Sequence, residues 1–260
     1  MEEKVTESKF KFPTEIVELP SKGLIYPKDN PLSSGKIEMK YMTAKEEDIL
    51  TNTNYIQKGI VLDKLIESLI ISKVNYNDII TGDKNALLIA SRVLGYGKDY
   101  AFRAVNPTTN KVEDFEIDLT TLEDKNLDPK DLKEQGINEF EFTLPYSKTS
   151  LTFKLLTHGD EKSITRELEG LKKIKKDIVP EATTRLKYVI TSVDNDREKK
   201  TIREFVDTQF LARDARELRN YIKKIQPSVD LSYDYEDQRG NITKIDIPVG
   251  IKFFWPDASV

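Results

Sequence analysis

Cysteine is absent from all 260 residues, and histidine occurs once, as His158. Such a chain can build no disulfide, no thiol nucleophile and no thiolate metal site. A single imidazole excludes a multi-histidine metal centre and leaves at most one base for a catalytic triad. A thiol-free composition suits a reducing cytoplasm. Long apolar runs are missing too. The longest, such as Ile60-Val61-Leu62 and Leu69-Ile70-Ile71, fall far short of the roughly 20 residues a spanning helix needs, so no membrane partner is expected. The opening residues, MEEKVTESKFKF, hold no apolar signal core, and secretion by that route is not expected. An excess of positive charge is lacking as well. The net charge is −4, which gives no general drive toward nucleic acid.

What is present is a polar but core-forming composition, 38% hydrophobic and 33% charged, long enough for one large or two modest domains. The chain is organised around residues 78–100, DIITGDKNALLIASRVLGYGKDY. Thr81 or Asp83 can accept backbone N–H bonds at a helix start, and Gly82 permits a close approach. Ala86, Leu87, Ile89, Ala90, Val93 and Leu94 follow at the mixed three- and four-residue steps of one buried helix face. Gly95-Tyr96-Gly97 stops that helix. Tyr100, Phe102 and Ala104 then alternate with Ala101, Arg103 and Val105 as a strand.

The fold class read from the whole chain is α+β: an N-terminal mixed α/β core with an antiparallel β insertion, a helical subdomain and a C-terminal β-hairpin. Residues 1–33 read as an extended arm, because Pro13 and Pro20 break any helix. The arm either drapes over its own domain or docks on a neighbouring subunit, so a homo-oligomer is among the expectations. Residues 34–105 form the α+β core, with a capping box at Thr43–Glu46 and a broad apolar helix face at Val61, Leu62, Leu65, Ile66, Leu69 and Ile70. In residues 106–157, Phe115/Ile117, Phe140/Phe142 and Leu151/Phe153 alternate as strands of one small sheet, interrupted by an exposed charged linker at 123–136. Residues 158–226 form helical segments, the first with Asp160 as its cap and a stripe of Leu168, Leu171 and Ile174, the next with Leu186, Val189 and Ile190 inward. Residues 227–260 form a hairpin turning at 237–241, then an aromatic tail, Phe253-Phe254-Trp255, whose rings cannot all be buried on one strand face, so at least one is expected to find cover in the domain core or in a partner.

Candidate chemistry is thin. Lys22 beside Gly23 looks like a phosphate loop, but the G-x-x-x-x-G-K-[ST] spacing is missing and a structural turn accounts for it. Asp48, Asp63 and Glu67 lie on polar helix faces with no partner marking an acid–base pair. His158, beside Gly159 and Asp160, lacks an identifiable nucleophile, so a junction role is expected of it. Arg166, Lys172, Lys173, Lys175 and Lys176 make a basic face with no interleaved aromatics, suited to solvent or an acidic protein. No cofactor and no metal are expected.

Four stretches carry a resemblance: LPSKGLIYP at 19–27, KIEMKYMTAKEEDIL at 36–50, ITGDKNALLIASRVLGYGKDY at 80–100 and SVDLSYDYEDQRGNITKIDIPVGIKFFWP at 228–256. Their order resembles that of the baseplate hub and hub assembly proteins of T-even-type contractile-tailed bacteriophages. The resemblance implies a non-enzymatic role in forming the tail baseplate hub, with other tail or hub proteins as partners. It implies a place in the virion, in the host cytoplasm during assembly, or as a transient chaperone absent from the mature particle. Several members carry a cysteine knuckle in the C-terminal hairpin. Here residues 237–241 hold no cysteine, and no zinc is carried over. Candidate partner-binding anchors are Phe10, Phe12, Tyr26, Tyr96, Phe253, Phe254 and Trp255, with core filling as the alternative for each. Two competing readings are a hydrolase using carboxylates such as Asp83 and Asp160, and a nucleic-acid-associated protein using the basic helix at 172–176.

Overall fold

The apolar spacing of residues 86–94 does produce one helix, and the rest of the chain is laid against it. The computed structural model describes residues 13–174 and 179–254. In chain order these form β1 (Thr14–Glu18), β2 (Lys36–Lys40), α1 (Ala44–Leu50), α2 (Thr53–Gln57), α3 (Val61–Leu69), α4 (Thr81–Tyr96), β3 (Asp99–Val105), β4 (Val112–Asp118), β5 (Asp124–Lys125), β6 (Phe140–Thr143) and β7 (Ser150–Phe153). The second half forms α5 (His158–Ile174), α6 (Glu181–Val189), β8 (Ile190–Val193), α7 (Lys199–Thr208), α8 (Ala212–Ile225), β9 (Ser228–Val229), β10 (Ser232–Glu236), β11 (Ile242–Asp246) and α9 (Ile251–Phe254). The protein is α+β, with small antiparallel sheets packed among helices.

Local signals start and stop many of these elements. Glu46 reaches back to the Thr43 N–H (2.9 Å) and hydroxyl (2.6 Å) and begins α1 as a capping box. α3 buries Val61, Leu65, Ile66 and Leu69, while Leu62 and Ile70 are half-buried. α4 ends at Gly97, whose φ of +87° favours glycine. Gly82 lies so close to Pro227 that a Cβ would overlap the Pro227 carbonyl, and this contact lets β9 pack across the start of α4. β3 and β4 pair with Phe102 opposite Phe115. The β10–β11 hairpin packs Tyr233 and Tyr235 against these rings.

Several expectations are corrected. Residues 14–33 are not an arm: Thr14–Glu18 pairs with β2, and Leu19, Ile25, Tyr26 and Leu32 are buried; residues 1–12 lie outside the described residues. The stretch 123–136 is no exposed linker. β5 pairs with β9, Leu127 is 3% exposed, and the Gly136 N–H donates to the Leu24 carbonyl. The strands of 100–157 do not form one sheet. β3–β4 stands apart, and β6–β7 takes β8 as its third strand. Ile190 therefore begins a strand rather than continuing a helix. Strand pairs and the Ile80–Thr157 bridge cross the expected boundaries at 105, 157 and 226, and one continuous apolar core runs from Leu19 to Phe254. Residues 251–254 form a helical turn, and Phe253 and Phe254 find their cover in the core.

Candidate functional site

The aromatic anchors expected from the sequence divide by burial. Phe10, Phe12 and Trp255 lie outside the described residues. Tyr26 is buried; its hydroxyl donates to Asp83 Oδ2 (2.7 Å) and accepts from the Ile80 N–H (3.2 Å). Burial, with the Asp83 charge beside it, pushes that phenol well above its usual value. Tyr96 is half-buried and donates to Glu47 Oε1 (3.2 Å). Burial, and then the Glu47 carboxylate, bring its phenol up to about 12. Phe253 and Phe254 are sealed in the core, Phe253 edge-on to Tyr100 at 4.7 Å between ring centres. Tyr26, Phe253 and Phe254 thus fill the core of this chain and present no surface to a partner.

The expected catalytic candidates are also occupied. Asp83 is 0% exposed and accepts three hydrogen bonds: from the Ser21 N–H (2.9 Å), the Ser21 hydroxyl (2.7 Å) and the Tyr26 hydroxyl. It does not cap α4. Burial pushes its carboxyl up, against the opposing donation of Ser21 and Tyr26. Asp160 is the third residue of α5, not its cap. Its Oδ2 accepts from the N–H and hydroxyl of Thr157, and its Oδ1 from Lys154 (2.7 Å). The His158 ring packs on Tyr76 (4.6 Å), and its Nδ1 lies 3.8 Å from Asp63 Oδ1. That oxygen already accepts from the Tyr76 hydroxyl (2.9 Å) and the Lys84 ammonium (2.6 Å). Burial pulls the imidazole down and Asp63 opposes it; the net shift is downward. Asp63, Tyr76, Lys84 and His158 tie α3 and α4 to the start of α5.

One group, Arg92, escaped the sequence reading, and a second, Asp214, reads from sequence only as a helix cap. Arg92 is the one charged residue between Asn85 and Lys98, and it is buried. Its Nε donates to the Phe253 carbonyl (2.9 Å), Nη1 to that of Gly97 (2.9 Å) and Nη2 to that of Asp99 (3.3 Å). A lone cation inside an apolar helix was the available signal. Asp214, also 0% exposed, accepts from the N–H groups of Tyr146 (2.9 Å) and Ser147 (3.0 Å) instead of capping α8. Among the described residues, no three carboxylate or imidazole groups come together as a metal site.

No family model, no curated protein and no solved structure matches this chain.

What remains available is surface. Lys172 and Lys173 are exposed at the end of α5, beside Ile174 at 80% exposure; Leu168 and Leu171 are only half-buried. Tyr146, in the β6–β7 turn, and Leu211, before the start of α8, are both exposed, and Arg213 stacks over the Tyr146 ring at 5.6 Å. Asp214 fixes that turn from below. Exposed tyrosine, arginine and leucine on a rigid turn have the chemistry of a protein contact.

Proposed function

We propose that this chain is a non-enzymatic structural or assembly protein of a phage tail baseplate hub, working through protein–protein contacts. The four ordered stretches at 19–27, 36–50, 80–100 and 228–256 support the hub reading. One observation carries the non-enzymatic part: the fold consumes its own buried ionisable groups. Glu46 holds the start of α1, Asp83 the Ser21 turn, Arg92 three carbonyls, Asp214 the Tyr146 turn, and Glu139 takes both Nη atoms of Arg197. Among the described residues no buried side-chain nitrogen or oxygen lacks a partner. A reaction centre keeps such groups aimed at a space that substrate will fill. Asp83 and Asp160, the carboxylates named for a hydrolase, are both engaged, Asp83 by Ser21 and Tyr26 and Asp160 by Thr157 and Lys154. The expected partners are other tail or hub proteins and further copies of the chain, in the host cytoplasm during assembly and in the virion.

The test is affinity capture of the tagged chain from infected host cells, with mass spectrometry of the captured proteins and of purified particles. Capture of tail proteins together with presence in particles supports a structural hub component. Capture with absence from particles supports a transient assembly chaperone. A chain that captures no tail protein overturns the reading.

A further inference from the structure

We propose that the groove between α6 and α8 docks an acidic, amphipathic helical segment of a protein partner. The proposal rests on the reading that the chain works by protein contacts, and it says where and with what chemistry. The groove measures about 490 Å³ and has an apolar floor of Leu156, Leu186, Val189 and Ile222. Arg219 and Lys223 of α8 form one rim, with Arg185 and Glu181 of α6 across from them.

Charge identifies the occupant. α8 turns Arg213, Arg216, Arg219, Lys223 and Lys224 outward, all exposed. Among the described residues none of the five is in an ion pair. Arg185, by contrast, is held by Glu161 (2.8 Å) and Glu181 (3.3 Å). The uncompensated charge therefore stands on the α8 side, on a chain whose net charge is −4. Like charges at four-residue spacing along one helix repel, and an opposite charge laid beside them relieves this. An apolar floor beside a cationic rim fits a helix that presents apolar residues at i, i+3, i+4 and i+7 with acids along one flank. α8 is 14 residues long, so a partner of three to four turns, about 21 Å, would run its length. Single-stranded nucleic acid fits less well: none of the lining residues is aromatic, and base stacking has no platform.

The experiment uses the purified full chain, isotope-labelled, and a synthetic amphipathic peptide with leucines at the helical spacing and glutamates on one flank. A matched peptide with lysines in place of the glutamates, an oligodeoxynucleotide and vesicles containing an anionic phospholipid serve as competing probes. The glutamate peptide is expected to bind, more weakly as salt rises, and to shift the backbone amides of α6 and α8. Arg219→Glu with Lys223→Glu should weaken it roughly tenfold. Both positions are exposed, so unchanged circular dichroism and melting temperature show that the variant folds. Ala182→Trp, on the exposed rim, should block the groove without altering its charge. The proposal is overturned if the glutamate peptide does not bind, if the lysine peptide binds equally, if the variants leave binding unchanged, or if oligonucleotide or vesicles outcompete it. It also fails if the amide shifts appear only on self-association of the chain. Failure here is separable from failure of the hub reading. If wild type and the charge-reversed variant capture the same tail proteins equally, the hub role stands and the groove assignment falls; if wild type captures none, the hub role falls regardless of the peptide.

Discussion

Asp83 and Asp214 occupy the same position in two unrelated helices, the third residue of α4 and of α8. There the exposed N–H groups and the helix dipole favour a carboxylate. Each aspartate spends its oxygens on a distant turn, yet the two titrate in opposite directions. Burial raises Asp83 above the ordinary carboxylate range, despite the donors from Ser21 and Tyr26. The native state then holds that proton at pH values where the unfolded chain has lost it, so the contribution is greatest in acid and is lost as pH rises through the raised value. For Asp214, burial is outweighed by the Tyr146 and Ser147 donors and the Lys148 charge, and the carboxyl is lowered. Its contribution is present above the ordinary carboxylate range and is lost as pH falls toward the lowered value. Asp214→Asn should cost about 1–3 kcal/mol at neutral pH, since the amide turns N–H against a backbone N–H; Asp83→Asn should cost less, because its amide N–H can face the Ser21 and Tyr26 hydroxyls, which can accept. Urea unfolding from pH 3 to 8 reads the difference: Asp214→Asn flattens the acid fall-off, whereas Asp83→Asn removes a component that declines with rising pH. Identical acid limbs in the two variants would refute the assignment. The sequence shows a polar group at each helix start. It does not show that Asp83 meets a turn 62 positions away or Asp214 one 68 positions away, because such pairing is set by the fold and not by local spacing.

Elements were legible where a long periodic pattern met a clear stop. α4 is the strongest case, with its apolar face, its terminal glycine and its close approach at Gly82. Short apolar runs were not legible. Residues 251–254 read equally as strand or helix, since four residues carry no usable period, and what decided the outcome was a hydrophobic site beside Tyr100. In 123–136 charge masked Leu127, whose burial depends on the Pro20 turn supplying a carbonyl to its N–H. Only the first residue of β8 carries a helical signal, because Ile190 continues the apolar step of α6; the strand geometry comes from pairing with β7. The two glycines inside α4 test how far packing controls this element. In both, alanine has the better helix propensity, by about 1 kcal/mol. At Gly82 the new methyl meets the Pro227 backbone, which cannot yield without moving β9 away from α4. At Gly95 it meets the Sδ of Met42, the flexible end of a side chain. Gly82→Ala should therefore destabilise by roughly 1–3 kcal/mol or more, whereas Gly95→Ala should be near neutral. Equal effects in chemical denaturation would show that the Pro227 contact is not a constraint.

At the scale of the whole molecule, both halves of the chain close on α4. The turn after β1 is fixed to its first residues through Asp83, and α9 is fixed to its last turns through Arg92. Among the described residues Arg92, like Asp83 and Asp214, is a buried charge with no oppositely charged partner: its donors face carbonyls, with the Tyr96 and Tyr100 rings 5.4 and 5.8 Å from its guanidinium carbon. Burial lowers its pKa from the usual arginine value. One side chain thus joins the α4 stop, the first residue of β3 and the C-terminal helical turn, elements whose own backbone pairing does not connect them. Apolar burial of Phe253 and Phe254 could hold α9 without this clasp, and the two contributions can be separated. Arg92→Met keeps most of the volume and removes the donors. It should cost about 1–3 kcal/mol, and hydrogen exchange should quicken selectively at 251–254 and at the start of β3 while α3 and α7 keep their protection. Phe254→Ala should cost about 3–5 kcal/mol by opening a cavity in the shared core, and should quicken exchange throughout the protein. If Arg92→Met leaves the protection of α9 unchanged, the aromatic pair alone secures the C-terminal turn, and the clasp contributes only to the geometry of the α4 stop.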